Sequence, residues 1–124
     1  GGFISEPEKM ISGGPMMGFA MYTTDTPITK TSSSILCMSK DEVSACEPTA
    51  CINCGRCVDA CPSRIIPSRL ADFAERHDEE AFLKFNGLEC VECGSCSYVC
   101  PAKRQLKQAI GSMRKTALAN KKKK

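Results

Sequence analysis

Apolar positions along the chain change their period near residue 50. Towards the end, Leu106, Ile110, Met113 and Ala117 recur at i, i+4, i+7 and i+11, one stripe of an amphipathic helix with Pro101 placed in its first turn. Further back, Ser68 reads as the cap of a helix that carries Leu70, Phe73 and Ala74 on one side. Asp78, followed by Glu79 and Glu80, opens another helix, with Ala81, Phe82 and Phe85 apolar and Asn86-Gly87 as its stop. Residues 1–39 lack this period. They contain Gly13-Gly14-Pro15, Pro27 and a Thr/Ser run, around β-type segments such as Ile28-Thr29-Lys30-Thr31 and Ile35-Leu36-Cys37-Met38. Two or three short strands are expected there, too few to bury a sheet face alone. The start at Gly1-Gly2 rather than Met fits the same expectation, that residues 1–39 are the remnant of a larger domain. Residues 40–49, with Pro48, read as a polar connector into a helical domain that extends to about residue 120, and residues 121–124 as a disordered lysine tail.

The chemistry lies in two cysteine runs. Cys51-x2-Cys54-x2-Cys57-x3-Cys61-Pro62 is repeated as Cys90-x2-Cys93-x2-Cys96-x3-Cys100-Pro101, using eight of the ten cysteines. A cubane iron–sulfur cluster needs four soft thiolates. A tight loop with two-residue gaps supplies three, and in two-cluster ferredoxins the last cysteine of each run serves the other cluster. The expected ligand sets are Cys51, Cys54, Cys57 and Cys100 for one [4Fe–4S] cluster, and Cys90, Cys93, Cys96 and Cys61 for the other. Structural zinc favours two short knuckles separated by a longer loop, and a disulfide framework belongs to small secreted chains. Gly55 and Gly94 occupy the same place in both loops, where the backbone has to turn. Ile52, Val58, Val91 and Val99 are expected to shield the clusters. The 28 residues between Cys61 and Cys90 leave room for two helices. Helical periodicity on both sides of the runs therefore predicts a mainly α, helical two-cluster scaffold, in preference to the compact βαβ ferredoxin.

Composition changes this picture only at its edges. Aromatic residues make up 6% of the chain and Trp is absent, so a small core has to lean on bound metal. Residues 1–100 carry 8 basic and 14 acidic side chains, whereas residues 101–124 carry 9 basic and none acidic. The basic end reads either as a solvated terminus or as a contact for anionic lipid or an acidic partner; without aromatic platforms it does not read as a nucleic-acid site. No apolar run approaches the roughly 18 residues of a membrane span, and no signal peptide opens the sequence. Thiolate-bound iron fits a reducing compartment. Cys37, in an apolar run, is expected to be a buried structural thiol and Cys46 an exposed one. His77 is expected at a helix junction and not as a ligand or base. Gly13-Gly14-Pro15-Met16-Met17-Gly18 matches no nucleotide loop and reads as a turn.

Ile11-Ser12-Gly13-Gly14-Pro15-Met16-Met17-Gly18, then Pro27-Ile28-Thr29-Lys30-Thr31-Ser32, then the two cysteine runs, resemble the C-terminal part of the RnfC family over nearly all of residues 1–120. The resemblance implies a peripheral component of the Rnf complex on the cytoplasmic face of the cell membrane, within an ion-pumping assembly that passes electrons between ferredoxin and NAD. It implies FMN and NAD(H) sites in a preceding Rossmann-like part, then a β-grasp-like domain ending near residue 39, then the two-cluster module. It also implies that this stretch relays electrons, with no catalytic residues of its own, to other subunits of the complex, with ferredoxin or another iron–sulfur subunit as partner. The alternative is a free-standing ferredoxin-like carrier or adaptor, in which the strand-rich leader has no place.

Overall fold

The computed structural model describes residues 2–123. The chain forms two compact units, Gly1–Glu47 and Pro48–Lys124.

In the first unit, β1 (Lys9–Ser12), β2 (Phe19–Met21) and β3 (Ile35–Met38) form an antiparallel sheet in the order β2-β1-β3. Residues 13–18 make the expected turn, with Gly18 N–H donating to Gly14 O at 2.8 Å. Residues 28–31 are not a strand, contrary to expectation. Ser32 N–H donates to Thr29 O at 3.0 Å, Thr29 N–H to Ser32 Oγ at 3.2 Å, and the Thr29 and Thr31 hydroxyls meet at 2.9 Å. These local bonds give the backbone an alternative to a ladder. Alternation along the paired strands puts Ile11, Ala20 and Leu36 on one face and Met10, Met21, Cys37, Phe19 and Ile35 on the other. Among the described residues of this unit only Ile11 is buried, and Phe19 keeps 68% of its surface exposed. Cys37 is exposed, not buried as expected, because it stands on the open face with Phe19 and Ile35. Cys46 is exposed as well.

Lys9 Nζ bonds Asp41 Oδ2 at 2.8 Å, tying β1 to the end of the unit. The hydrogen bonds from Lys9 and Ser44 pull the Asp41 carboxyl down from 3.8 to about 2. A depressed carboxylate stabilises the fold fully above its unfolded value and loses that contribution as pH falls through the folded one. NMR titration of the Asp41 carboxyl should therefore give a midpoint near 2, with the contribution lost between about pH 4 and pH 2; a midpoint at 3.8 would contradict the pairing.

The second unit is helical, with no strand among its described residues: α1 (Arg56–Asp59), α2 (Pro67–Glu75), α3 (Glu79–Lys84), a 3-10 turn (Gly87–Glu89), α4 (Ser95–Tyr98) and α5 (Leu106–Lys123). It is an internal repeat with a constant offset of 39 residues. Cys51, Cys54, Cys57, Cys61 and Pro62 recur as Cys90, Cys93, Cys96, Cys100 and Pro101, and α1 and α2 start one offset before α4 and α5. Backbone conformation repeats too. Left-handed φ occurs at Asn53 (54°) and Glu92 (55°), Gly55 (79°) and Gly94 (84°), and Arg64 (51°) and Lys103 (53°). Glu92, Arg64 and Lys103 each pay about 1–2 kcal/mol there, whereas asparagine tolerates the region, so both halves hold the same path with less strain at Asn53. Gly55 and Gly94 meet the need without strain.

Several boundaries differ from expectation. Helix α2 starts at Pro67 with Ile66 as its cap, so Ser68 lies inside the first turn; proline's fixed φ suits that first position. Pro101 lies in the turn before α5 and not in the helix, because the chain must first pass the left-handed Lys103. Ser97 Oγ accepts from Lys107 N–H at 2.9 Å, satisfying a backbone donor at the start of α5. Helix α5 continues to Lys123, so residues 121–123 are helical and not disordered; Lys124 lies outside the described residues. Alanine, leucine and lysine are strong helix formers, and lysines suit a helix C-terminus. Asp78 caps α3 as expected, accepting from Ala81 N–H at 3.0 Å. His77 sits at the α2–α3 junction with φ 57°.

Helix α2 packs along α5 around Leu70, Ala71, Ala74, Phe82, Leu106, Ile110 and Met113, with Cys57, Cys61, Cys90 and Cys100 against the rim of this core. Asn86 ends the α3 segment with φ 59°, and Gly87 then lies so close to Phe82 that a Cβ there would stand 2.3 Å from the ring. Gly87→Ala should lower stability by about 1–3 kcal/mol through overpacking. Anaerobic urea unfolding followed by helical circular dichroism checks this, and an unchanged midpoint would contradict it.

Candidate metal centres

Each cysteine loop turns on its two left-handed residues and runs into a four-residue helix, α1 or α4, which carries the third cysteine; the fourth follows it. Cys51, Cys54, Cys57 and Cys100 line one cavity, together with Ile52, Arg104 and Leu106. Cys90, Cys93, Cys96 and Cys61 line another, together with Val91, Glu92, Lys107 and Ile110. Each cavity thus takes three cysteines from one run and the last cysteine of the other. Ile52 and Val91 wall the cavities as expected. Val58 and Val99 are not among their lining residues, and Val99 faces an open groove with Arg56 and Tyr98.

The two cavities differ in exposure. Cys51 and Cys54 are exposed, whereas Cys90 and Cys93 are half-buried and Cys96 is buried. Burial pushes the Cys96 thiol up to about 11 and also raises Cys90. A hydrogen bond with Ser95 lowers Cys93. Thiolate is the form that binds iron, so these side chains give up protons on loading. Glu92 N–H donates to Cys90 Sγ at 3.4 Å, the type of contact that stabilises a thiolate.

Charged residues at the cavity walls carried no local signal in the sequence. Arg104 bonds Asp72 and Glu75, each at 2.9 Å, joining the approach to α5 with α2. Burial opposes its charge, but these carboxylates outweigh burial and raise its pKa above the ordinary guanidinium range. Arg114 bonds Glu92 at 3.2 Å and Leu88 O at 3.1 Å, holding the second loop to α5. The partners stand some 22 to 32 positions apart, a separation at which only the folded chain pairs them.

The donor set fits iron–sulfur clusters. Each cavity offers four soft thiols and no histidine. Among the described residues no three Cys, His, Asp or Glu side chains gather closely enough to hold a single metal ion; the thiols stand instead around the walls of the two cavities.

A family model described as a 4Fe-4S dicluster domain matches residues 50–104. The chain is 46% identical over 123 residues to the C subunit of the Na(+)-translocating ferredoxin:NAD(+) oxidoreductase complex of Acetobacterium woodii, covering 99% of this chain and 28% of that relative. It is 53% identical over 111 residues to the C subunit of the proton-translocating ferredoxin:NAD(+) oxidoreductase complex of Clostridium ljungdahlii, covering 89% and 24%. To the C subunit of the ion-translocating oxidoreductase complex of Methanosarcina acetivorans it is 46% identical over 110 residues, covering 89% and 25%. The chain thus spans about a quarter of the length of these relatives. Over that quarter it belongs to the RnfC family, and it binds two [4Fe–4S] clusters.

Proposed function

We propose that this chain is the electron-relay part of an RnfC protein that works in a membrane-associated ferredoxin:NAD oxidoreductase coupled to ion translocation. The observation that carries the reading is the four-and-four sorting of the cysteines around two cavities. Cys51, Cys54, Cys57 and Cys100 hold one cluster; Cys90, Cys93, Cys96 and Cys61 hold the other. When bound, each cluster supplies a one-electron couple. The chain's residues hold, screen and tune. The loops fix the sulfurs, while Leu106 and Ile110 of α5 present apolar surface to one cavity each. Burial and N–H bonds to sulfur, such as that from Glu92, set the potentials. On this reading flavin and nicotinamide chemistry belongs to another part of the parent protein. Residues 1–39 are the end of a β-grasp-like domain, and the exposed apolar face bearing Phe19 and Ile35 supports that assignment.

Among the described residues no helix is long and apolar enough to cross a membrane. The protein sits peripherally on the cytoplasmic face, next to membrane-embedded subunits. The exposed end of α5, with Lys121 and Lys122, contacts anionic lipid or the acidic surface of a neighbouring subunit. Deleting residues 121–124 should weaken retention on membranes in low salt and make little difference in high salt, as judged by sedimentation. Equal retention at low salt would remove the tail from the account.

The ligand assignment is tested by serine substitution. Cys54→Ser and Cys93→Ser should each lower iron and sulfide from about eight to about four per chain, leaving different EPR spectra. Cys61→Ser should leave the spectrum of Cys93→Ser, because the last cysteine of the first run serves the second cavity. A Cys61→Ser spectrum matching Cys54→Ser would overturn the crossed assignment.

A further inference from the structure

An open groove lies beside the first cavity, and Cys100 and Pro101 line both. Its other walls include Arg56 at the start of α1, Tyr98 at the end of α4, and Lys103. Arg56 and Lys103 are exposed, and Tyr98 keeps 80% of its surface in solvent. Asp59 is the acidic residue in the lining, so cations prevail. Lys103 is held at φ 53°, a conformation that a long side chain pays for, directly after the Cys100-Pro101 turn. Exposed aromatic and arginine side chains together are the composition of an energetic contact centre. The adjoining cavity is also the more open one, with Cys51 and Cys54 exposed.

We propose that the Arg56–Tyr98–Lys103 groove is the docking surface for an acidic electron-transfer protein, placing that partner against the Cys100 side of the first cavity. Complementary charge steers such encounters and orients them, and its effect is strongest at low ionic strength. Tyr98, in the same lining as the two cations, supplies the apolar contact. This inference rests on the relay reading, and commits it to one cluster site as the point of exchange.

The test uses the full-length protein with clusters loaded, and two protein probes of opposite charge, an acidic ferredoxin and a basic cytochrome c. Stopped-flow rates of electron exchange are measured against ionic strength for the parent and for Arg56→Glu/Lys103→Glu. The double variant should lose about tenfold or more in rate with the ferredoxin at low salt and gain with the cytochrome, with both differences shrinking as salt rises. Iron content and EPR spectra should match the parent, because neither side chain is a ligand. Unchanged rates and salt slopes in a fully loaded variant would overturn the docking surface, as would a loaded parent that does not exchange electrons with the ferredoxin. A parent that binds no clusters would instead overturn the relay reading beneath it. Tyr98→Ala should lower the ferredoxin rate without altering its salt slope; an unchanged rate would remove the apolar contact.

Discussion

Four thiolates must surround each cluster, and a loop with two-residue gaps reaches only part of the way round. The proposed answer is exchange: each half of the repeat keeps three cysteines for its own cavity and lends its fourth to the other. That demand fixes how the halves meet. Cys61 has to arrive beside the second loop and Cys100 beside the first, so the repeats are interlocked, with α2 lying along α5. The core of Leu70, Phe82, Leu106 and Ile110 then fills the space between them, and four of the cysteines flank it. A core of this size makes cluster binding part of the folding free energy and not an addition to a finished fold.

The repeated backbone path shows what the exchange costs. Left-handed conformations at Glu92, Arg64 and Lys103 disfavour the native loops by several kcal/mol together, on the order of 1–2 kcal/mol each, while Asn53 tolerates its own. Iron–thiolate bonds are strong enough to offset that. The halves are not equal, however. The first cavity opens towards solvent through Cys51 and Cys54; the second encloses Cys96 and is held to α5 by the Glu92–Arg114 pair. Solvent access is one of the quantities that set a cluster's potential, so the two proposed ligand sets, although chemically identical, would give distinct redox sites.

Much of this was legible in the sequence where the determinant is local. The i, i+4, i+7 stripe marked the buried face of α5, Asp78 marked the start of α3, and the glycines after Cys54 and Cys93 marked the turns. Ligand number and spacing also pointed to the same eight cysteines that line the two cavities. Features set by competition or by distant partners were not legible. Residues 28–31 have strand composition, yet serine and threonine hydroxyls close a turn there. Ser68 has a capping side chain, but Pro67 already occupies the first helical position. Lysines at the chain end read as disordered by charge, whereas the helix preceding them extends through Lys123. The Arg104–Asp72 and Arg114–Glu92 pairs join residues with no sequence signal between them.

The central claim concerns which cysteine meets which cluster, and anomalous diffraction at the iron edge addresses it directly in crystals of the anaerobically prepared protein. The account predicts two separate four-iron peaks, with Cys100 Sγ bonded to the cluster of Cys51, Cys54 and Cys57, and Cys61 Sγ bonded to the cluster of Cys90, Cys93 and Cys96. Single-metal peaks, or a map in which Cys61 and Cys100 each bind the cluster of their own run, would contradict it.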